Sequence, residues 1–283
     1  MSNILITGNE GFIGQNLMHY LALKGHHVRG HNNPEVQPNL DQIDIVIHLG
    51  AISQTTNWQV DQVLRHNLDF SIELFHQTQK RHIPLQYASS ASVYGGLKVF
   101  NESGAVAPLN PYAWSKYLFD RFIQSQRLKA PVTGFRYFNV YGPNETQKGT
   151  QASPVTQFSQ QAKNNGTIKL FEGSDHCLRD FVSVYDLCHM HEYFIQHPTS
   201  GLFNAGTGKA VSFAFVAKLI AERFNASVIT IPFPEHLKNQ YQYYTCADMS
   251  QLNQIIKINW MPIDSYITIM QDDLTLSQEM ACN

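Results

Sequence analysis

Apolar residues fall into two kinds of run along this chain. Short, nearly unbroken ones, "NILIT" at 3–7, "DIVIHLGA" at 44–51 and "PLQYASS" at 84–90, have the length and composition of strands buried on both faces of a parallel sheet. Others repeat at helical spacing. In "GFIGQNLMHYLALKG", Phe12, Ile13, Leu17, Met18 and Leu21 fall on one stripe, and Gly25 is placed to end the helix. "HHVRG" reads as a second strand, residues 60–80 and 111–127 as helices, and "VTGFRYFNVYG" as the strand that closes the series. Strand–helix alternation of this kind predicts an α/β fold with a doubly wound parallel sheet.

The pattern loosens after residue 145. "KGTQASPVTQFSQQAKNNG" reads as a loop feeding a helix and "IKLFEG" as a short strand. "RDFVSVYDLCHMHEYFI" reads as a strand and helix, and "VSFAFVAKLIAERF" as a helix. The expected division is a first domain over 1–145 and a smaller C-terminal lobe over 146–283 that sends segments back to the sheet. Between the second and third strands stands only "HNNPEVQPNLDQI". A full doubly wound half needs a helix and a further strand there, and a crossover takes about ten to twelve residues or more. The fold is therefore expected to be shortened after its second strand.

Composition narrows the partners. Of 283 residues, 20 are Lys or Arg and 22 are Asp or Glu, a formal net charge of −2, which provides no footprint for nucleic acid or an anionic membrane. Cys177, Cys188, Cys246 and Cys282 lack metal-ligand or redox spacing, and the 13 histidines form no His-x-x-x-His pair, so no metal site is expected. Unpaired thiols of this kind suit a cytoplasmic setting. Neither a basic leader nor a long apolar run precedes "NILIT", so neither a signal peptide nor a membrane span is expected.

Candidate chemistry begins at "GNEGFIG". Gly8, Gly11 and Gly14 sit between the first strand and first helix, where glycines let the backbone approach a pyrophosphate held on the helix N-terminus. An acid after the second strand would mark NAD; "VRGHNN" has none, and Arg29 suits the 2′-phosphate of NADP, with NAD the alternative. "YASSASVYGG" ends a strand in hydroxyls at Ser89, Ser90 and Ser92, where α/β sheets hold ligands. In "NPYAWSKYLF", Tyr112 and Lys116 are four apart on a helix opened by Pro111 and face one way. A phenol of ordinary pKa near 10 needs a neighbouring cation to act as a base at neutral pH.

The glycine loop, the Ser90-Ala-Ser-Val-Tyr-Gly run and Tyr112-x-x-x-Lys116 together resemble the extended short-chain dehydrogenase/reductase family of nucleotide-sugar enzymes, over nearly the whole chain. That resemblance implies a Rossmann-type fold. The longer strings "GFRYFNVYGPNETQKGTQAS", "KLFEGSDHCLRDFVSVYD", "GLFNAGTGKAVSF" and "IPFPEHLKNQYQYYTCAD" are similar to the heptose 6-epimerases of that family. The activity implied is oxidation of a nucleotide-diphosphate sugar at carbon 6 to a transient ketone, then hydride return to the opposite face.

By that resemblance Ser90 and Tyr112 handle the reacting oxygen, Lys116 holds the phenol and the nicotinamide ribose, and Lys148 is a second acid/base. Phe12, Ile13, Asn67 and Val140 match cofactor positions. Asn139, Thr150, Phe171, Glu172, Gly173, Ser174, Arg179 and Tyr241 match substrate positions, and Gln157 stands where the family has histidine. A guanidinium such as Arg179 can grip a diphosphate through two hydrogen bonds. A homo-oligomer is the implied assembly.

Related chemistries remain as alternatives. A 4,6-dehydratase would carry acids just after the strand serine, where this chain has Ala91 and Ser92. A 4-epimerase, a ketosugar reductase and an enzyme of a GDP-linked heptose share the Ser, Tyr and Lys set. A non-catalytic nucleotide-binding protein is the reading from another class, supported by the shortened region after the second strand.

Overall fold

A computed structural model describes residues 1–235 and 242–270. The apolar runs become β1 (Asn3–Thr7), β2 (His27–His31), β3 (Ile45–His48), β4 (Leu85–Ser90) and β5 (Val132–Tyr137). Helices α1 (Phe12–Leu23), α2 (Val60–Leu64), α3 (Phe70–Lys80) and α4 (Pro111–Gln124) separate them. With β9 (Gly201–Ala205) they form a six-stranded sheet in the order β2-β1-β3-β4-β5-β9, parallel through β1, β2, β3, β4 and β5.

Strand alternation sends successive side chains to opposite faces, and both faces are covered. On one, Leu5, Val46, Leu85 and Val132 meet Phe70, Leu74 and Phe75 of α3 and Phe119 and Ile123 of α4. On the other, Ile4, Ile6, Ile45 and Ile47 meet Leu17, Tyr20 and Leu21 of α1 together with Cys188. Each such side chain contributes about 1.5–3 kcal/mol when fully buried.

The chain divides into two compact units, each made of more than one stretch of sequence. The first holds residues 1–97, 102–137 and 188–204; the second holds 98–101, 138–187 and 205–283. "VTGFRYFNVYG" is accordingly two strands. It leaves the six-stranded sheet after Tyr137, and β6 (Asn139–Tyr141) pairs instead with β8 (Leu178–Ser183). The Phe138 N–H bonds Ala205 O rather than continuing the β5 ladder.

In the second unit β6, β8 and β10 (Ala210–Ser212) form one small sheet, while β7 (Thr167–Phe171) and β11 (Ser227–Ile231) pair in parallel. Helix α5 (Pro154–Asn165) is capped by the Ser153 side chain, and α7 (Phe213–Phe224) by that of Ser212. Helix α6 (Val184–Gln196) follows β8 directly, and two short helices, α8 (Leu252–Ile255) and α9 (Ile263–Ile269), come near the end of the described chain. No helix among the described residues is long and apolar enough to cross a membrane.

The expected shortening is plain in the sheet: residues 32–44 form neither helix nor strand, and β2 is its edge. Residues 60–80 are not one regular helix, because a π-helical turn, Arg65–Asp69, joins α2 to α3. β9 was not foreseen as a strand.

A glycine in the middle of β5 has a steric cause. Gly134 is paired with Tyr87, whose ring fills the space a side chain would need; a Cβ there would lie 2.3 Å from the ring. Gly134→Ala should lower the free energy of unfolding by about 1–3 kcal/mol through overpacking, read as a lower urea midpoint with unchanged m-value.

Candidate active site

Parallel strands present their C-terminal ends along one edge, the place where open α/β sheets bind ligands. Here that edge carries Thr7, His48 and Ser90. The turn after β1 brings Gly14 against the loop it follows: a Cβ at Gly14 would fall 2.3 Å from Gly8 O and 2.7 Å from Asn9 Cα. Gly11 caps α1 with no side-chain hydrogen bond, leaving that place to an anion on the helix N-terminus. Phe12 and Ile13 open the helix, with Phe12 buried and Ile13 half-buried. This close-packed backbone turn fits a dinucleotide pyrophosphate.

The phenol is placed by a capped helix start. Asn110 accepts from the Ala113 N–H at 2.9 Å, and Pro111 takes the first helical position. Tyr112, Lys116 and Asp120 then recur every four residues on one face. Ser90 ends β4 and caps the following turn, Ala91–Tyr94, by accepting from the Ser92 N–H at 3.1 Å. Its hydroxyl also hydrogen-bonds the Tyr112 phenol.

Burial pushes the Tyr112 phenol above its ordinary value, and the Ser90 bond opposes that shift. Lys116 Nζ stands 6.0 Å from the centre of the Tyr112 ring. Only 4% of Lys116 is exposed; burial lowers its pKa to about 8, against an upward pull from Asp120.

Two buried residues that sequence reasoning missed complete this edge. His48 receives a hydrogen bond from Thr7 Oγ1 at its Nδ1 (2.6 Å) and donates from Nε2 to Ser71 Oγ at 2.7 Å, a tautomer assigned from the Ser71 bond to Asn67 O. Burial, and then the Lys116 charge, lower its pKa to about 3, so it is neutral. Asp120 accepts from Ser89 Oγ at 2.9 Å, Tyr87 OH at 3.1 Å and Arg136 Nε at 3.0 Å. Its signal was its place as the third member of the Tyr112–Lys116 stride.

Asn67 lies in the π turn, a feature common at functional sites. Its amide bonds both the N–H and C=O of Ile52 and reaches Ser115 Oγ at 3.0 Å, so it braces the loop after β3 against α4. Arg29 lies in mid-strand, paired with Leu5, and its guanidinium donates to Asn39 O.

In the second unit, Lys148 ends in an ion pair with Glu145, Nζ to Oε1 3.2 Å. Glu145 is buried and also accepts from Ser153 N at 2.8 Å, Ser153 Oγ at 2.6 Å and Thr156 Oγ1 at 2.6 Å. A carboxylate at the start of α5 is favoured by the helix dipole, and it holds the Lys148 loop to that helix. Gln157, replacing the expected histidine, donates to Thr150 O at 3.3 Å and Ala152 O at 2.6 Å, so its amide closes the same loop.

Asn139 donates to Asp180 O at 3.1 Å and Thr245 Oγ1 at 3.2 Å. Half-buried Val140 follows it in β6. Arg179 packs its guanidinium 5.3 Å over Phe213 and donates to Leu178 O and Gln242 O. Phe171 ends β7 with its ring 5.5 Å from Phe233; Glu172 and Gly173 follow, exposed, and Ser174 is buried. Tyr241 lies outside the described residues. No cluster of three or more metal-ligating side chains occurs among those described.

A turn shaped for pyrophosphate, on the same sheet edge as a hydroxyl-bonded phenol and a buried lysine, defines a dinucleotide-dependent enzyme of the extended short-chain dehydrogenase/reductase class. Residues 4–206 match the NAD dependent epimerase/dehydratase family, and the chain belongs to it. It is 42% identical, over 88% of its own length and 90% of the relative's, to an ADP-L-glycero-D-manno-heptose-6-epimerase of Alkalilimnicola ehrlichii. The crystal structure of the Helicobacter pylori ADP-L-glycero-D-manno-heptose-6-epimerase superposes with a TM-score of 0.81 at 26% identity, covering 98% of this chain and 96% of that one. A UDP-glucose 4-epimerase from Thermotoga maritima, with UDP-glucose, shares the fold at TM-score 0.81 and 22% identity, covering 94% and 96%.

The depressed Lys116 pKa has a signed consequence. Between about pH 8 and 10.5 the folded state has released a proton that the unfolded state still binds, so stability rises with pH across that window. Urea unfolding of wild type and Lys116→Met at pH 7.5, 8.5 and 9.5 (about one unit apart) should show wild type gaining stability relative to the variant. A constant difference would show that Lys116 titrates normally.

Proposed function

We propose that this chain is a nucleotide-sugar epimerase that inverts carbon 6 of an ADP-linked glycero-manno-heptose. The observation that carries the reading is the Ser90–Tyr112 pair beside buried Lys116, in a chain 42% identical to a protein named for that reaction. A nicotinamide dinucleotide, when bound, supplies hydride acceptance and return. The residues supply everything else. The Gly8–Gly14 turn holds the pyrophosphate, and Lys116 orients the phenol. Tyr112, with Ser90 steering the sugar hydroxyl, takes the proton as carbon 6 becomes a ketone.

Inversion returns the hydride to the other face of the ketone, where the oxygen sits differently and a second proton donor is needed. Lys148, held by Glu145, is assigned that role. Arg179 and the turn at Phe171–Ser174 are assigned to the nucleotide diphosphate. The same likeness underlies the proposal of a homo-oligomer in a reducing cytoplasm, where the free thiols of Cys177, Cys188 and Cys246 persist.

Proton NMR of ADP-D-glycero-β-D-manno-heptose incubated with the protein and dinucleotide should show the L-glycero epimer. Tyr112→Phe and Lys148→Ala should each slow conversion by about 10²–10⁴-fold, the usual contribution of a positioned acid/base, with unchanged circular dichroism. Near-normal turnover in the double variant would sink the two-base assignment. No conversion by a wild-type protein that holds dinucleotide would point to another nucleotide sugar.

A further inference from the structure

Tyr112 and Lys148 belong to different compact units, and each has its own local supports. Those of Lys148 converge on Glu145. The Glu145 carboxylate accepts from the N–H and hydroxyl of Ser153, which caps α5, and from the Thr156 hydroxyl three residues further on. The backbone closes the same loop. Lys148 N–H donates to Glu145 O at 3.0 Å, and Ala152 N–H donates to Gly149 O at 3.1 Å. Gly149 makes the reversal between them, at a φ of 53° that favours glycine. Nothing lies within 4 Å of where a Cβ would stand, so the backbone angle and not crowding calls for glycine there.

The ion pair joins two unlike environments. The Glu145 side chain is 0% exposed and that of Lys148 33%. The carboxylate is therefore fixed inside by Ser153 and Thr156, while the lysine keeps access to water. Glu145 Oε1 receives both the Ser153 N–H and Lys148 Nζ, so the same oxygen ties the lysine to the start of the helix. A lysine ammonium against a carboxylate is a proton donor, the complement of a phenol that acts first as acceptor.

We propose that Glu145 is a positioning residue for the inversion step alone: it holds the Lys148 ammonium to protonate the ketone oxygen, and oxidation at Tyr112 does not depend on it. As hydride returns from the dinucleotide to carbon 6, the carbonyl π pair takes a proton from Lys148 Nζ. One N–H bond breaks, and a neutral amine is left beside the carboxylate. Tyr112 has by then gained the proton of the sugar hydroxyl, so exchange through water restores both groups and the turnover balances. A buried carboxylate without its counter-charge is costly, which favours the return of the proton to Lys148. This inference rests on the reading of the chain as a carbon-6 epimerase.

The test separates the two steps, using the holoenzyme and ADP-D-glycero-β-D-manno-heptose. Proton NMR reads inversion, and the absorbance of reduced nicotinamide in a single turnover reads oxidation. Glu145→Gln should slow inversion by about tenfold to hundredfold, part of the full contribution of a positioned acid/base, with KM and the oxidation rate unchanged. Combined with Lys148→Ala it should cost nothing further, because Glu145 acts through that lysine. Glu145→Asp, which keeps the charge but withdraws it by one methylene, should recover part of the lost rate. Equal loss in both steps, or a double variant slower than Lys148→Ala alone, overturns the assignment. Where Glu145→Gln does not fold, Glu145→Asp takes its place in the same comparisons, with the same outcomes deciding. A wild type that forms no epimer overturns the epimerase reading and this inference with it. A wild type that forms it, beside an unimpaired Glu145→Gln, overturns this inference alone.

Discussion

The first unit is organised around a carboxylate that water does not reach. Asp120 is 0% exposed and its partner Arg136 2%. The carboxylate accepts from Tyr87 and Ser89 of β4 and from Arg136 of β5, so α4 is pinned to two strands at once. Arg136 goes on to Tyr94 OH at 3.0 Å, and Tyr94 donates to Asn204 of β9 at 2.7 Å. Removing one member of such a pair costs about 3–5 kcal/mol, because the other charge is left buried alone. Its geometric consequence matters more. Ser89 adjoins Ser90, and Asp120 lies one turn beyond Lys116, so the same anchor fixes the phase between the strand carrying the hydroxyl and the helix carrying the phenol.

That dependence explains what was legible in the sequence. β1 and β3 are nearly unbroken apolar runs and β4 is buried along its whole length, so all three read as strands of a sheet covered on both faces. β9 escaped notice because its polar Asn204 is buried on partners Glu102 and Tyr94, which are remote in sequence. The break at Phe138 was equally hidden. "VTGFRYFNVYG" reads as one continuous strand-like run, and nothing local records that its two halves belong to different sheets.

Site residues divide along the same line. Spacing alone placed Tyr112 and Lys116 together, since a helix converts a stride of four into a shared face. The Ser90 hydroxyl needed the fold, which brings β4 beside α4. Glu145 was invisible for a related reason. It lies three residues before Lys148, but what makes it notable is total burial among Ser153 and Thr156, which form the start of α5. Arg29 stands in mid-strand, and its bond to Asn39 O, across ten residues, is a contact that only the fold shows.

The shortened segment after β2 has a structural compensation. A connection without helix or strand leaves less cover for the sheet and leaves β2 as its edge, and an exposed edge is a liability. Residues 32–44 answer the first with Leu40, 2% exposed, which joins the core cluster of Leu5, Val46 and Phe70, and with Ile43, which packs against that cluster. They answer the second by tethering. Arg29 and His31 bind carbonyls of the loop, Gln37 donates to Phe70 O at 3.1 Å, and the Asn3 N–H donates to Asp44 Oδ2 at 2.7 Å. A loop this short also carries little closure entropy. The sheet can therefore tolerate the truncation, but the end of β2 is now occupied with holding its own loop.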